Sequence, residues 1–284
     1  MHPIERLRYV ARAGDVDPSL LAEEAALALG ALAAEPRALV PAARRLLEFH
    51  PSCAPLWWVC AELLSADRPA ARAEELAAAL NEDPTADELA AALPGAATLV
   101  TTGGAIIDSA LRERPDLTVH LVGTAASLRY QLRRIGDTVE VEGFLGHEIA
   151  EALDGAGAVV VEAAAVAPDG ALFDPLAAAL AGAAGELELW VVAGCGRLLP
   201  AALFAALRAG TGQPQRARPS RGSALPVGGP DEDLDAEGPT PEFALVALDG
   251  RAVIAGPEGP LRLRDAAARA RCPVPPELLA TVRE

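Results

Sequence analysis

The sequence predicts an α/β fold in two parts: a helical N-terminal domain over residues 1–94 and a parallel-sheet domain over 95–284. Up to about residue 92 the chain is dominated by Ala, Leu, Glu and Arg, with few β-branched residues, which is a helix-forming composition. After Pro94-Gly95, short apolar runs alternate with amphipathic stretches, the pattern of a parallel sheet covered on both faces. With 284 residues and 51% hydrophobic content the chain is long and apolar enough to bury a core. Aromatics are only 4%, so small side chains do most of the filling.

In the first part, Asp17 is placed to cap a helix whose first turn holds Pro18, with an apolar run from Leu20 to Ala34. Pro36 ends that run. A second helix is expected over Arg37 to Phe49, a third over Ala54 to Leu64, a fourth from Asp67 or Pro69 to Leu80, and a short one to Leu93. Trp57 and Trp58 are adjacent on the third, so they point in different directions, one to the core and one to a domain or subunit contact. Strands are expected over 97–101, 117–122, 138–142, 157–161 and 187–192, with helices over 105–114, 126–135, 146–153 and 176–184. A polar insertion rich in Pro, Gly and Ser is expected over 210–241, basic at its start and acidic at Asp231 to Glu237. Asp249-Gly250 then reads as a hairpin turn between Phe243–Leu248 and Arg251–Ala255, and a last helix follows Pro275-Pro276.

Charge and composition narrow the function. There are 24 basic residues, all arginine, against 40 acidic ones, a net charge of −16. Such a surface repels phosphate backbones and anionic lipids, so neither nucleic acid nor membrane is expected as a partner. Without lysine there is no Schiff base and no P-loop. The four cysteines form no C-x-x-C and the four histidines no H-E-x-x-H, so no metal is expected. The opening MHPIERLRYVARAGD carries charges where a signal peptide needs an apolar run, and the long apolar stretch Leu176–Gly194 is broken by Glu186 and Glu188. A cytoplasmic protein with reduced thiols is expected.

In an open parallel sheet the ligand sits at the carboxyl ends of the strands. Thr101, Thr102, Gly103 and Gly104 lie at the first such end, before a helix; bare amides there form an anion cradle, or simply a tight turn that needs glycine. Gly123 and Thr124 follow the second strand. Asp169 stands in a turn and Asp174 at a helix start, either as a cap or as half of an acid–base pair. Cys195 is a nucleophile or a small buried residue, and Arg197 reaches an anionic ligand or the surface. No cofactor motif is present, since Gly194-Cys195-Gly196 lacks the third glycine of a dinucleotide fingerprint.

Residues 97–111, ATLVTTGGAIIDSAL, together with 159–178, VVVEAAAVAPDGALFDPLAA, and 190–200, WVVAGCGRLLP, resemble the translation initiation factor 2B alpha/beta/delta-subunit family. That family includes the methylthioribose-1-phosphate and ribose-1,5-bisphosphate isomerases. The second segment lies without gaps on the family pattern V-L-V-G-A-D-A-V-L-A-N-G-G-V-V-N-K-I-G-T, and the ending CPVPPELLATVRE is similar to D-V-T-P-P-E-L-I-T. The resemblance implies a helical N-terminal domain before a Rossmann-like one, and assembly into a homodimer or a larger complex. It also implies where catalytic groups would stand: a cysteine at Thr102 or Gly103, an aspartate at Ala164, and an N-K pair at Asp174 and Pro175. None of these is retained, and the family's E-S-R-P is absent near Thr124. Alanine and threonine support neither acid–base nor thiol chemistry. The expectation is therefore a catalytically silent protein acting by protein or metabolite binding, with no catalytic residue. The alternatives are a ribose-phosphate isomerase with a rebuilt site and a sensor of nucleotides or sugar phosphates, either of which binds a phosphorylated small molecule.

Overall fold

Apolar residues in the central strands alternate between two faces, and each face has its own layer of helices. Ala158, Val160, Trp190, Val192, Val253 and Ala255 join one buried cluster; Val159, Val161, Val191 and Ile254 join the other. This is the period-2 alternation of a strand, buried on both sides. The computed structural model describes residue 10 and residues 16–33, 36–211, 243–250, 252–269 and 271–279.

Five helices open the chain: α1 (Pro18–Gly30), α2 (Pro36–Phe49), α3 (Ala54–Ser65), α4 (Pro69–Asn81) and α5 (Thr85–Ala92). Asp17 caps α1, its Oδ1 accepting the Ser19 and Leu20 N–H groups at 2.9 and 3.1 Å, as expected from the sequence. The helix stops at Gly30 rather than Ala34, and Pro36 starts α2 instead of ending α1, because proline fits a first turn better than a last one. Gly30 lets α4 approach, since a Cβ there would strike Ala73.

Strands and helices then alternate: β1 (Thr98–Thr101), α6 (Ala105–Arg112), β2 (Thr118–Gly123), α7 (Ala125–Ile135), β3 (Glu140–Leu145), α8 (Ile149–Leu153) and β4 (Ala158–Glu162). After β4 come β5 (Ala165–Ala167), β6 (Gly170–Phe173), α9 (Pro175–Ala183), β7 (Glu188–Val192) and α10 (Ala201–Thr211). The described chain ends with β8 (Ala244–Val246), β9 (Val253–Gly256), β10 (Gly259–Arg262), α11 (Leu263–Arg269) and α12 (Pro276–Leu279). The main sheet has the order β10-β9-β7-β4-β1-β2-β3, parallel except for β10. Residues of α5, α6 and α7 join the cluster on one face; residues of α8, α9 and α11 join the other.

The expected hairpin is corrected. Asp249-Gly250 does not close a hairpin: β8 pairs with β6 in a separate three-stranded sheet, β5-β6-β8, while β9 runs parallel to β7. The real hairpin joins β9 and β10, with Gly256 opposite Gly259. The expected polar stretch 210–241 lies outside the described residues from 212 onward, and Gly210 and Thr211 close α10 instead. The short strands β5 and β6, within an apolar run with no periodic signal, were not expected; their turn holds Pro168-Asp169.

The helices α1 to α4 do not stand apart from the sheets. Their core includes Ala165, Ala167 and Leu172 of the small sheet and Leu203, Phe204 and Leu207 of α10. Trp57 is buried, with Nε1 donating to the Pro51 carbonyl at 2.9 Å. Trp58 lies instead against Gly196, where a Cβ would come within 2.8 Å of its ring. Trp57 thus fills the core, and Trp58, half-buried against the same core, also covers the loop that follows β7.

Candidate functional site

Strand order reverses between β1 and β4, and at such a point a parallel sheet opens a crevice at the carboxyl ends of its strands. Thr101 ends β1 and is buried; its hydroxyl accepts the Gly103 N–H at 2.9 Å, folding the loop back at once. Gly103 and Gly104 have φ of 77° and 149°, backbone that side chains disfavour. A Cβ on Gly103 would strike the Gln131 side chain, and one on Gly104 the Glu162 carboxylate.

Gly104 therefore leaves the room that Glu162 fills. The Ile106 N–H donates to Glu162 Oε2 at 3.2 Å. That amide belongs to the first turn of α6, which lacks an internal acceptor and where the helix dipole favours negative charge. The other oxygen, Oε1, pairs with Arg197 Nη1 at 2.8 Å; the Arg197 side chain is buried, at 7% exposure, and that of Glu162 is partly buried, at 13%. The same nitrogen donates to the Ala163 carbonyl at 2.8 Å. The amide cradle between β1 and α6 thus holds a carboxylate of the chain itself, neutralised by a guanidinium of the chain itself.

Asp108 on α6 is a second buried acid. Arg134 Nε lies 3.2 Å from its Oδ2. With its amide nitrogen turned inward, Gln131 donates to both Asp108 oxygens at 2.8 Å. Burial pushes the Asp108 carboxyl pKa up, the Arg134 guanidinium and the Gly104 N–H pull it back, and the neighbouring Glu162 adds to the rise.

Asp83, between α4 and α5, ties the helical part to the loop after β7. It accepts the Cys195 N–H at 2.7 Å, the Thr85 N–H at 3.0 Å and the Thr85 hydroxyl at 2.5 Å. A cleft of ≈ 200 Å³ opens beside it, lined among others by Asp17, Ser19, Asp83, Ile106, Ser109 and Arg197. Two carboxylates face this cleft against one guanidinium, and Glu162 already holds that guanidinium. The lining therefore offers no free cation for a phosphate.

The remaining candidates have local partners. Thr124 caps α7 in a capping box, accepting the Ser127 N–H at 3.1 Å while its own N–H donates to Ser127 Oγ at 2.8 Å. Gly123 lies beneath that serine, whose Oγ would be 2.5 Å from a Cβ. Thr102 is half-buried in the β1–α6 loop. Asp169 is exposed in the β5–β6 turn. Asp174 caps α9, accepting the Leu176 and Ala177 N–H groups at 3.0 Å each. Among the described residues no hydrogen bond or ion pair joins Asp169 or Asp174 to the Glu162 group. Of the expected site residues the structure thus gathers Thr101, Gly103, Gly104 and Arg197 around Glu162. Glu162, Asp108, Gln131, Arg134 and Asp83 were missed. The one legible signal was Glu162 itself: it ends the run Val159-Val160-Val161 at a position where the family pattern has glycine.

The cysteines are not activated. All four are free and buried. Burial pushes the Cys53, Cys195 and Cys272 thiols up to about 12, and Cys60 further. A thiol reagent at pH 8 is therefore expected to label none of them in the folded chain and all four on unfolding. Absorbance of released thionitrobenzoate, with and without denaturant, checks this. Fast labelling of Cys195 in the native state contradicts it. No cluster of three His, Cys, Asp or Glu side chains suited to a metal ion occurs among the described residues, and no described helix is long and apolar enough to cross a membrane.

Fold and site define an α/β chain with a helical N-terminal region, in which an internal ion pair stands at the switch point of the sheet. No family model matches it, and no curated protein matches it in sequence. Solved structures do match. eIF2B beta from Chaetomium thermophilum superposes with a TM-score of 0.69 at 16% identity, over 97% of this chain and 91% of that one. The tetrameric eIF2B-beta2-delta2 complex from C. thermophilum gives 0.60 at 16% identity, over 94% and 93%. 5-Methylthioribose 1-phosphate isomerase from Pyrococcus horikoshii gives 0.59 at 13% identity, over 94% and 86%. The resemblance read from the sequence is thus borne out as a likeness of fold, and fold leaves function to be argued from the site.

Proposed function

We propose that the chain is a catalytically silent protein of the initiation factor 2B-like fold, acting by binding a protein partner within a homodimer or larger assembly. The observation that carries this reading is the Glu162 carboxylate in the amide cradle of α6, partly buried and paired with the buried Arg197. An incoming phosphate has to displace a carboxylate that already has a hydrogen-bond donor and a counter-ion. The loss of the implied cysteine and aspartate, at Thr102 or Gly103 and at Ala164, supports the same reading. In this reading Thr101, Gly103, Gly104, Gly123 and Thr124 shape loops rather than hold a ligand, and residues 1–94 and 95–284 act as two domains, the second Rossmann-like. The assembly is supported by the neighbour that is itself a tetrameric complex. Four free buried thiols fit a reducing, cytoplasmic setting.

Two measurements test it. Purified protein is incubated with 5-methylthioribose 1-phosphate and with ribose phosphates, and the ketose product is quantified. The same compounds, with AMP and GDP, are screened by thermal shift. A ligand at a hundredfold excess over Kd adds about 2.7 kcal/mol of stability, so a binder is visible. The expected result is no turnover and no shift, with light scattering reporting a dimer or larger species. Saturable turnover establishes an isomerase with a rebuilt site. A shift without turnover establishes a sensor.

A further inference from the structure

Within the described residues of this acidic chain lies a cationic helix face. Helix α7 reads AASLRYQLRRI, with three arginines and no acid. Its buried residues are Leu128 and Ile135, so Arg129, Tyr130 and Arg133 point outward, Tyr130 at 60% exposure. Arg134 borders them, donating to the Tyr130 hydroxyl at 3.0 Å and lying 5.6 Å from its ring. It also ties the face to α6 through Asp108, and Arg112 at the end of α6 is exposed within electrostatic reach of the same carboxylate.

Half of the described arginines form an ion pair with a carboxylate. Arg45, Arg72, Arg114, Arg134, Arg197, Arg262, Arg264 and Arg269 each do. Arg112, Arg129 and Arg133, like Arg37, Arg44, Arg68, Arg208 and Arg271, form no ion pair with a carboxylate among the described residues. Arg129 and Arg133, exposed on the same helix as Tyr130, combine with it the two residue types that dominate binding hot spots.

We propose that this face of α6 and α7 docks an acidic segment of a protein partner. Arginine forks hold carboxylates two bonds at a time, and Tyr130 supplies the apolar contact. The same helix of a second copy is a poor occupant, because a two-fold contact would set arginine against arginine. A long polyanion or a charged bilayer is disfavoured too, because it would also meet the surface of a chain with net charge −16. A short acidic segment reaches only the local patch, since charges beyond about 8–10 Å are screened. This inference is independent of whether the switch-point site is silent.

The test is fluorescence anisotropy of the full chain with a fluorescein-labelled peptide of repeated Glu-Asp-Leu, at low and high ionic strength. Saturable binding that weakens with salt is expected, about tenfold weaker or more in R129E/R133E and unchanged in R68E/R208E, whose arginines are exposed elsewhere. R129Q/R133Q gives the same reading if charge reversal lowers the thermal melt. Absence of saturable binding overturns the proposal. So does equal weakening in the two charge-reversal variants, or tighter binding to labelled single-stranded DNA or phosphatidylserine vesicles than to the peptide.

Discussion

Glu162→Ala is expected to lower the stability of the folded chain by about 3–5 kcal/mol, the loss seen when one partner of a buried ion pair is removed. Arg197 is the reason. Its side chain is 7% exposed, and its Nη1 pairs with the Glu162 carboxylate and donates to the Ala163 carbonyl. Without the carboxylate, the guanidinium keeps the Ala163 carbonyl but loses its directly paired counter-charge, while Asp17 and Asp83 face only the adjoining cleft. The Ile106 N–H loses its acceptor as well. The companion Glu162→Ala/Arg197→Met is expected to recover most of the loss, because two well-packed neutral side chains replace two charges whose desolvation nearly offsets their attraction. Urea denaturation of the wild type, both single variants and the double variant closes a cycle whose coupling energy measures the pair. A solvent-exposed pair would give a loss of under about 1 kcal/mol and little coupling. That outcome would mean the cradle is open.

Asp83→Ala is the second large effect. This carboxylate accepts from Thr85, which is fully buried, through both the amide and the hydroxyl, and from the Cys195 amide. A buried donor left without an acceptor costs about 1–3 kcal/mol, so the loss is on the order of 4 kcal/mol. The position also matters. Asp83 Oδ2 lies so close over Gly194 that a Cβ there would be 2.6 Å away. Beside the shared apolar core, Asp83 thus adds a polar tie between the helical part and the strand end. Hydrogen exchange is expected to show faster opening of α5 and of the loop after β7 in the variant, with β1 and β4 still protected. A loss within about 0.5 kcal/mol, the range of an ordinary surface substitution, would contradict this anchoring role.

The physics separates what was legible in the residues from what was not. The cap at Asp17 and the alternation along β4 and β7 are local signals, and the structure follows them. Long-range partners are another matter. Asp249-Gly250 has the composition of a hairpin turn, yet β8 and β9 belong to different sheets, because each finds better pairing along β6 and β7. Glu162 and Arg197 are 35 residues apart in the chain, and only the neighbouring ends of β4 and β7 bring them together. A sequence pattern marks Gly103 and Gly104 as a cradle. It does not show that a side chain from another strand fills it. The same limit hid Asp83, whose acceptor role spans the two parts of the chain.

The most direct test of the central claim, that the crevice at the switch point is occupied from within, is a calorimetric titration. Wild-type protein is titrated with 5-methylthioribose 1-phosphate at millimolar concentration. The expected result is heat of dilution alone, for the wild type and for Gly104→Val. Saturable binding at one site per chain in the wild type, abolished by Gly104→Val, would show that the cradle accepts an external anion and would contradict the account.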